Sequence, residues 1–184
     1  MWSEDVFVSN LAQTFAADWS ARRARDAYLA ENGFTLEGYD DDWTSASFFG
    51  LKLAVPNTKR HRWAIMLHDL HHVATGFGTD LVGEGEISAW ELRGIRPLGL
   101  YVGSIVVAGA LAGAVLAPRR ALAAWRAARS ARSLFELVPA TDGSAYDALL
   151  DLTVGELRER LGIPRDGLAR EPRRLHDYAP RPAT

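Results

Sequence analysis

The sequence predicts an all-α fold: a single-domain helical bundle with a long Gly/Ala-rich apolar central helix. Three observations lead there. Apolar residues recur at helical intervals along most of the chain, and alternating strand-like runs are few. A length of 184 residues, 48% of them apolar, suits one domain with a sizeable core. Arg96 and Arg119 bracket 22 residues without a charge, PLGLYVGSIVVAGALAGAVLAP. One helical domain is expected over residues 1–171, followed by a Pro/Arg-rich, loosely ordered tail over 172–184.

The elements follow in order. Residues 4–30 carry Phe7, Leu11, Phe15, Trp19 and Tyr28 at roughly helical spacing among Ala and Arg, and Asn32-Gly33 ends that helix. Residues 38–43 are acidic and turn-like. A helix is expected over 57–74, with Asn57 or Thr58 as its N-cap. Thr75-Gly76-Phe77-Gly78 breaks it, and Thr79 or Asp80 then caps a third helix that reaches about Arg93. The apolar stretch comes next, then an Ala/Arg helix after Pro118, RRALAAWRAARSARSLFEL, and a shorter helix over 147–161.

Composition narrows the chemistry. The chain has no cysteine, so disulfides, thiolate metal sites and cysteine nucleophiles are excluded together. A metal here must be held by His, Asp and Glu. The formal net charge is only −2, but no acid occurs between Glu91 and Glu136, a stretch that carries Arg93, Arg96, Arg119, Arg120, Arg126, Arg129 and Arg132. The N-terminal MWSEDVFVSN has Glu4 and Asp5 and no basic start before an apolar run, so no secretory signal peptide is expected.

The segment HDLHHVATGFGTDLVGE, residues 68–84, concentrates potential metal ligands. His68 and His72 share one helix face, roughly 6 Å apart along the axis. Asp69 lies about 100° round from His68 and can converge on the same point. His71 points away from it by a similar angle and is left out. Glu84 follows twelve residues after His72, across a glycine-bearing turn that can reverse the chain. If the two helices pack antiparallel, Glu84 faces the histidines. Two His with two carboxylates suit zinc, and also iron(II) or manganese(II). Glu91, seven beyond Glu84, lies on the same face as Glu84; it can orient a ligand histidine, act as a proton carrier, or simply pair with an arginine. The bland alternative for the histidines is a solvated or hydrogen-bonded pair. The pattern departs from the zinc protease motif HExxH, since Asp69 stands at the Glu position. A His-Asp doublet also occurs in metal-dependent phosphohydrolases, which need further dispersed ligands; only His61 and His176 remain for that.

These residues resemble the signature of the coenzyme Q (ubiquinone) biosynthesis protein 4 family. The likeness is carried by His68-Asp69-Leu70-His71-His72, the turn Thr75-Gly76-Phe77-Gly78-Thr79-Asp80, and Gly83-Glu84 at a fixed distance. Trp90-Glu91, the Gly/Ala-rich apolar stretch, Val154-Gly155-Glu156-Leu157-Arg158 and Leu161-Gly162-Ile163 extend it over about residues 55–165. The family's Tyr-Glu-Arg-rich segment before the last of these is replaced by LFELVPATDGSAYDALLDL, and Glu86 and Ser88 make the second motif helix more polar. The resemblance implies a mostly helical, peripherally membrane-attached protein of ubiquinone biosynthesis, with His68, Asp69, His72 and Glu84 as ligands of a divalent metal, zinc first. It implies oxidative decarboxylation of a prenylated ring, the carboxyl being replaced by a hydroxyl. The alternative is a non-catalytic scaffold that binds isoprenoid lipid and gathers other quinone-biosynthesis proteins.

Three roles are open to the apolar stretch: a membrane span, a buried helix, or the wall of a groove for an isoprenoid tail. Gly99, Gly103, Gly109 and Gly113 form two GxxxG spacings that allow close helix approach and permit a homodimer. With no second span, a buried or groove-lining helix is preferred. In the basic helix after it, Arg119, Arg126, Arg129 and Arg132 interleave with Leu122, Trp125 and Leu134, which suits an anionic membrane surface on the cytoplasmic side. The alternative is a solvated helix paired with acids such as Asp40, Asp41 and Asp42. No nucleic-acid-binding fold accompanies the arginines, so no nucleic-acid partner is expected.

Overall fold

The structure, a computed structural model, describes residues 14–48, 51–140 and 143–169, with the backbone alone for 45–48 and 51–53. Among them are eight α-helices and one two-stranded hairpin. The helices are α1 (Ala21–Glu31), α2 (Lys59–Thr75), α3 (Leu81–Glu91), α4 (Gly99–Leu116), α5 (Pro118–Ala127), α6 (Leu134–Leu137), α7 (Gly143–Leu150) and α8 (Val154–Leu161). The hairpin joins β1 (Trp43–Phe48) to β2 (Leu51–Pro56) in antiparallel register, Trp43 opposite Pro56. The fold is all-α in the sense expected, with this small addition.

Local chemistry sets the helix ends. The Thr58 side chain accepts from the His61 N–H and starts α2, while Asn57 instead donates to the carbonyls of Tyr39 and Asp41. Gly76 closes α2 at φ +78°, a left-handed conformation that glycine adopts without strain. Asp80 caps α3 through the Gly83 N–H. The end of α2 is further held by Arg158 of α8, a buried guanidinium that donates to the carbonyls of Ala74, Phe15 and Arg165.

Four expectations are corrected. The first helix begins at Ala21, where Ser20 caps it, rather than at residue 4; residues 14–19 are not helical and 1–13 lie outside the described residues. Residues 43–48 and 51–56 form strands. The stretch 119–137 is two helices, because Ser133 and Glu136 form a capping box that starts α6. The stretch 147–161 is also divided, by the Thr153–Glu156 capping box at the start of α8. The expected tail, 172–184, lies outside the described residues.

Helix α2 runs through the core and touches α1, α3, α4, α6 and α8. Its Leu67 and Leu70 are fully buried, with Ile87 and Trp90 of α3 and Leu134, Leu149, Leu157 and Leu161 beyond them. Helices α3 and α4 pack closely. A Cβ placed on Gly113 would lie 2.6 Å from the Gly85 Cα, and one on Gly109 would strike the Ser88 hydroxyl. The glycine spacing in α4 thus serves packing within the bundle. Helix α4 is buried along this side only: Val102, Val106 and Ala110 are covered, whereas Leu100, Leu111 and Val115 are exposed.

Candidate metal centre

His68 and His72 sit on successive turns of α2, and Glu84 sits in the first turn of α3. The turn between the two helices folds the chain back and lays the Glu84 carboxylate against both rings. Each of the three offers one ligand atom, and these atoms lie within 4.8 Å of one another. The Nε2 atoms of His68 and His72 are 3.1 Å apart. Glu84 Oε2 is 3.4 Å from the first and Glu84 Oε1 is 3.5 Å from the second. An ion bonded to nitrogen at about 2.0–2.1 Å sees tetrahedral ligand atoms about 3.3 Å apart. The two nitrogens are close to that spacing, and each carboxylate oxygen of Glu84 has it to one of them.

The partners of the rings' other nitrogens fix which atoms face the centre. The Phe77 carbonyl can only accept, so His72 Nδ1 donates to it at 2.8 Å. The buried Glu91 carboxylate takes His68 Nδ1 at 2.9 Å. Each ring therefore turns Nε2 inward, and each Nδ1–H is tied to an oxygen, as is general for metal-ligating imidazoles. The Tyr28 ring stacks on His72 with centroids 5.4 Å apart and planes 19° from parallel.

Electrostatics match a site built for positive charge. Burial alone would lower the His68 pKa, but the Glu91 and Glu84 charges and hydrogen bonds outweigh it, and the pKa is raised well above the ordinary value. Burial alone would raise Glu91; the His68 charge and the bonds from both histidines outweigh that and bring it down to about 2. Glu84 is held below the usual carboxylate range despite its burial, by His72 and His68.

Asp69, the fourth expected ligand, is not in the converging group. Its Oδ2 accepts the Tyr39 hydroxyl at 2.5 Å, and the buried Tyr28 hydroxyl bonds the same carboxylate. Burial raises the Asp69 pKa, opposed by His68 and Tyr39. Glu91 is present as the orienting group of His68, one of the roles its spacing allowed, and not as the partner of an arginine. It is fully buried and meets the centre only through that ring.

His71 does point away from the centre, yet it belongs to the same assembly. Its Nε2 accepts the Leu134 N–H at 2.9 Å, so its Nδ1 carries the hydrogen donated to Glu91 at 2.7 Å. Burial lowers its pKa, which suits a neutral ring in that tautomer. Trp90 and Phe135 clasp it edge-on, each with its ring centroid 4.9 Å away. His71, Phe77, Tyr28 and Tyr39 escaped the sequence reading. Only the doubled His71-His72 carried a signal.

Three ligands would leave a tetrahedral ion one open position, and His68 and Glu84 are partly exposed, at 25% and 34% of their side-chain surface. Such a centre can bind a carboxylate or activate water. Compared with protein family models, curated proteins and solved structures, the chain has no match.

Proposed function

We propose that the chain is a divalent-metal-dependent enzyme that acts at a membrane surface on a prenylated aromatic ring, in ubiquinone biosynthesis. The observation that carries the reading is the convergence of His68, His72 and Glu84 on one point with a coordination position to spare. The motif that these residues share with the coenzyme Q biosynthesis protein 4 family supplies the substrate class. The reaction exchanges a ring carboxyl, released as carbon dioxide, for a hydroxyl drawn from water, and two protons and two electrons pass to an external acceptor such as dioxygen or a quinone.

Zinc, with iron or manganese as the redox-active alternatives, would be held by His68, His72 and Glu84, and when bound it supplies a positive centre for the ring carboxylate. The chain's own residues do the rest. Glu91 holds His68 in register by accepting its Nδ1–H. The Phe77 carbonyl and the Tyr28 ring fix His72. The test is incubation of the metal-loaded protein with a carboxyl-labelled prenylated hydroxybenzoate. Release of labelled carbon dioxide with a hydroxylated ring is expected, and none from His72→Ala. No release with any of the three metals and an oxidant counts against the reading.

A further inference from the structure

Helix α4 buries glycines, one alanine and two valines on one side and leaves several large apolar residues exposed on the other. Gly103, Gly109, Ala110 and Gly113 face inward, while Leu100 is 96% exposed, Leu111 63% and Val115 79%. Val107 and Tyr101 share that outer side at 40% each, and Leu122 in the following helix α5 is exposed at 43%. No charged residue interrupts it from Gly99 to Leu116. An ordinary soluble helix has the reverse arrangement, polar outside.

The border of this face carries charge of one sign. Arg96 precedes it, Arg119 follows it, and Arg126, Arg129 and Arg132 lie beyond, all exposed. The acids that might have neutralised them are engaged elsewhere: Asp40 and Asp42 pair with Arg62, and Glu86 pairs with Arg120. Among the described residues, Arg96, Arg119, Arg126 and Arg132 form no ion pair, and Arg129 lies over the Trp125 ring.

We infer that the outer face of α4 lies flat in the surface of an anionic lipid membrane, with Leu100, Val107, Leu111 and Val115 among the acyl chains and the arginines among the headgroups. Two observations prefer lipid to a second copy of the chain. From Leu100 to Val115 the face is only about 22 Å long and one helix wide, well short of the roughly 800 Å² per partner that a stable dimer buries. A two-fold pairing across α4 would also set arginine against arginine, Arg96 on Arg119 if antiparallel, whereas anionic headgroups complement both ends. A membrane span is disfavoured by the inner side, where Gly109 and Gly113 are locked against Ser88 and Gly85. This takes from the proposed function only the lipid surface, and names the part of the protein that meets it.

The test is flotation with vesicles of phosphatidylcholine alone, or with about one third phosphatidylglycerol, on the full chain with and without metal. Partitioning to the anionic vesicles is expected to exceed that to the neutral ones about tenfold. Leu111→Glu with Val115→Glu is expected to remove it, with helical content and thermal midpoint unchanged because both positions are exposed. The absence of native cysteine allows a second measurement. A polarity-sensitive label on Leu111→Cys should shift to the blue on anionic vesicles, and the same label on Asp147→Cys should not. No vesicle binding overturns the inference. So does binding that the double variant leaves unchanged, or a wild-type dimer that the double variant splits without altering flotation. Because metal-free protein and His72→Ala are assayed alongside, a failure of the chemistry and a failure of the membrane contact are told apart.

Discussion

His68 and His72 bring their Nε2 atoms within 3.1 Å of each other, while each Nδ1 is committed to an oxygen. Two nitrogen lone pairs at that distance repel unless a cation lies between them. A proton on His68 meets that need in the free protein, and a divalent ion meets it with a third ligand from Glu84. The relationship gives the centre its specificity, and the first prediction tests it.

His72→Ala or Glu84→Gln should reduce bound metal from about one equivalent per chain to near zero, as elemental analysis after dialysis will show. Asp69→Asn should keep it, since the Asp69 carboxylate is occupied by Tyr39 and Tyr28. Metal lost in Asp69→Asn, or unchanged in His72→Ala, would sink the three-ligand assignment.

Glu91→Gln keeps the shape of the group that orients His68 but removes its charge. Metal affinity should fall about 10- to 100-fold, the range for partners that hold a ligand histidine. Competition titration against a chelating dye reads this directly; an affinity within twofold of wild type would show that Glu91 only fills space.

The metal-free protein should have a bell-shaped stability profile. A glutamate ordinarily titrates near 4.5, and Glu91 is depressed to about 2 in the fold. The unfolded chain therefore binds more protons in that interval, and stability grows as pH rises through it. His68 behaves oppositely: its pKa is raised above 6.5, so its contribution is complete below that pH and is lost as pH rises through the folded value. Thermal midpoints of chelator-treated protein should peak between these limits. Zinc should remove the alkaline decline by replacing the proton. A metal-free midpoint that keeps rising from neutral pH upward would contradict this.

Gly113→Ala should destabilise the protein by about 1–3 kcal/mol, the usual cost of overpacking a close contact. The new methyl meets the Gly85 backbone, which has no side chain that can move aside. Gly143→Ala has open space at its Cβ and serves as the control. Equal urea midpoints for the two variants would show that α3 and α4 can separate freely.

Much of the architecture was legible because short-range chemistry determines it. Thr58, Asp80 and Gly76 mark the ends of α2 and α3, and both helices run as their spacing indicates. The Ser133–Glu136 and Thr153–Glu156 boxes were also in the sequence, but the helical periodicity on either side concealed the breaks they make. The hairpin was missed although Leu51-Lys52-Leu53-Ala54-Val55 partly alternates, since Ser and Ala dominate its first strand.

In the candidate centre, His68, His72 and Glu84 were readable because four-residue spacing and one turn suffice to gather them. The environment of Asp69 was not, because its partners arrive from distant parts of the chain. Tyr39 is 30 positions away. The Leu134 N–H that fixes the tautomer of His71 is 63 positions away.

Glu84 and Gly85 are consecutive, and one faces the histidines while the other abuts Gly113. Where the carboxylate stands is therefore decided by how near two helices can approach, not by how far a side chain can stretch. A methyl group inserted at that seam would act as a shim, moving the ligand by an appreciable part of a coordination bond. Tolerances at a contact remote from the chemistry thus become tolerances of the chemistry itself.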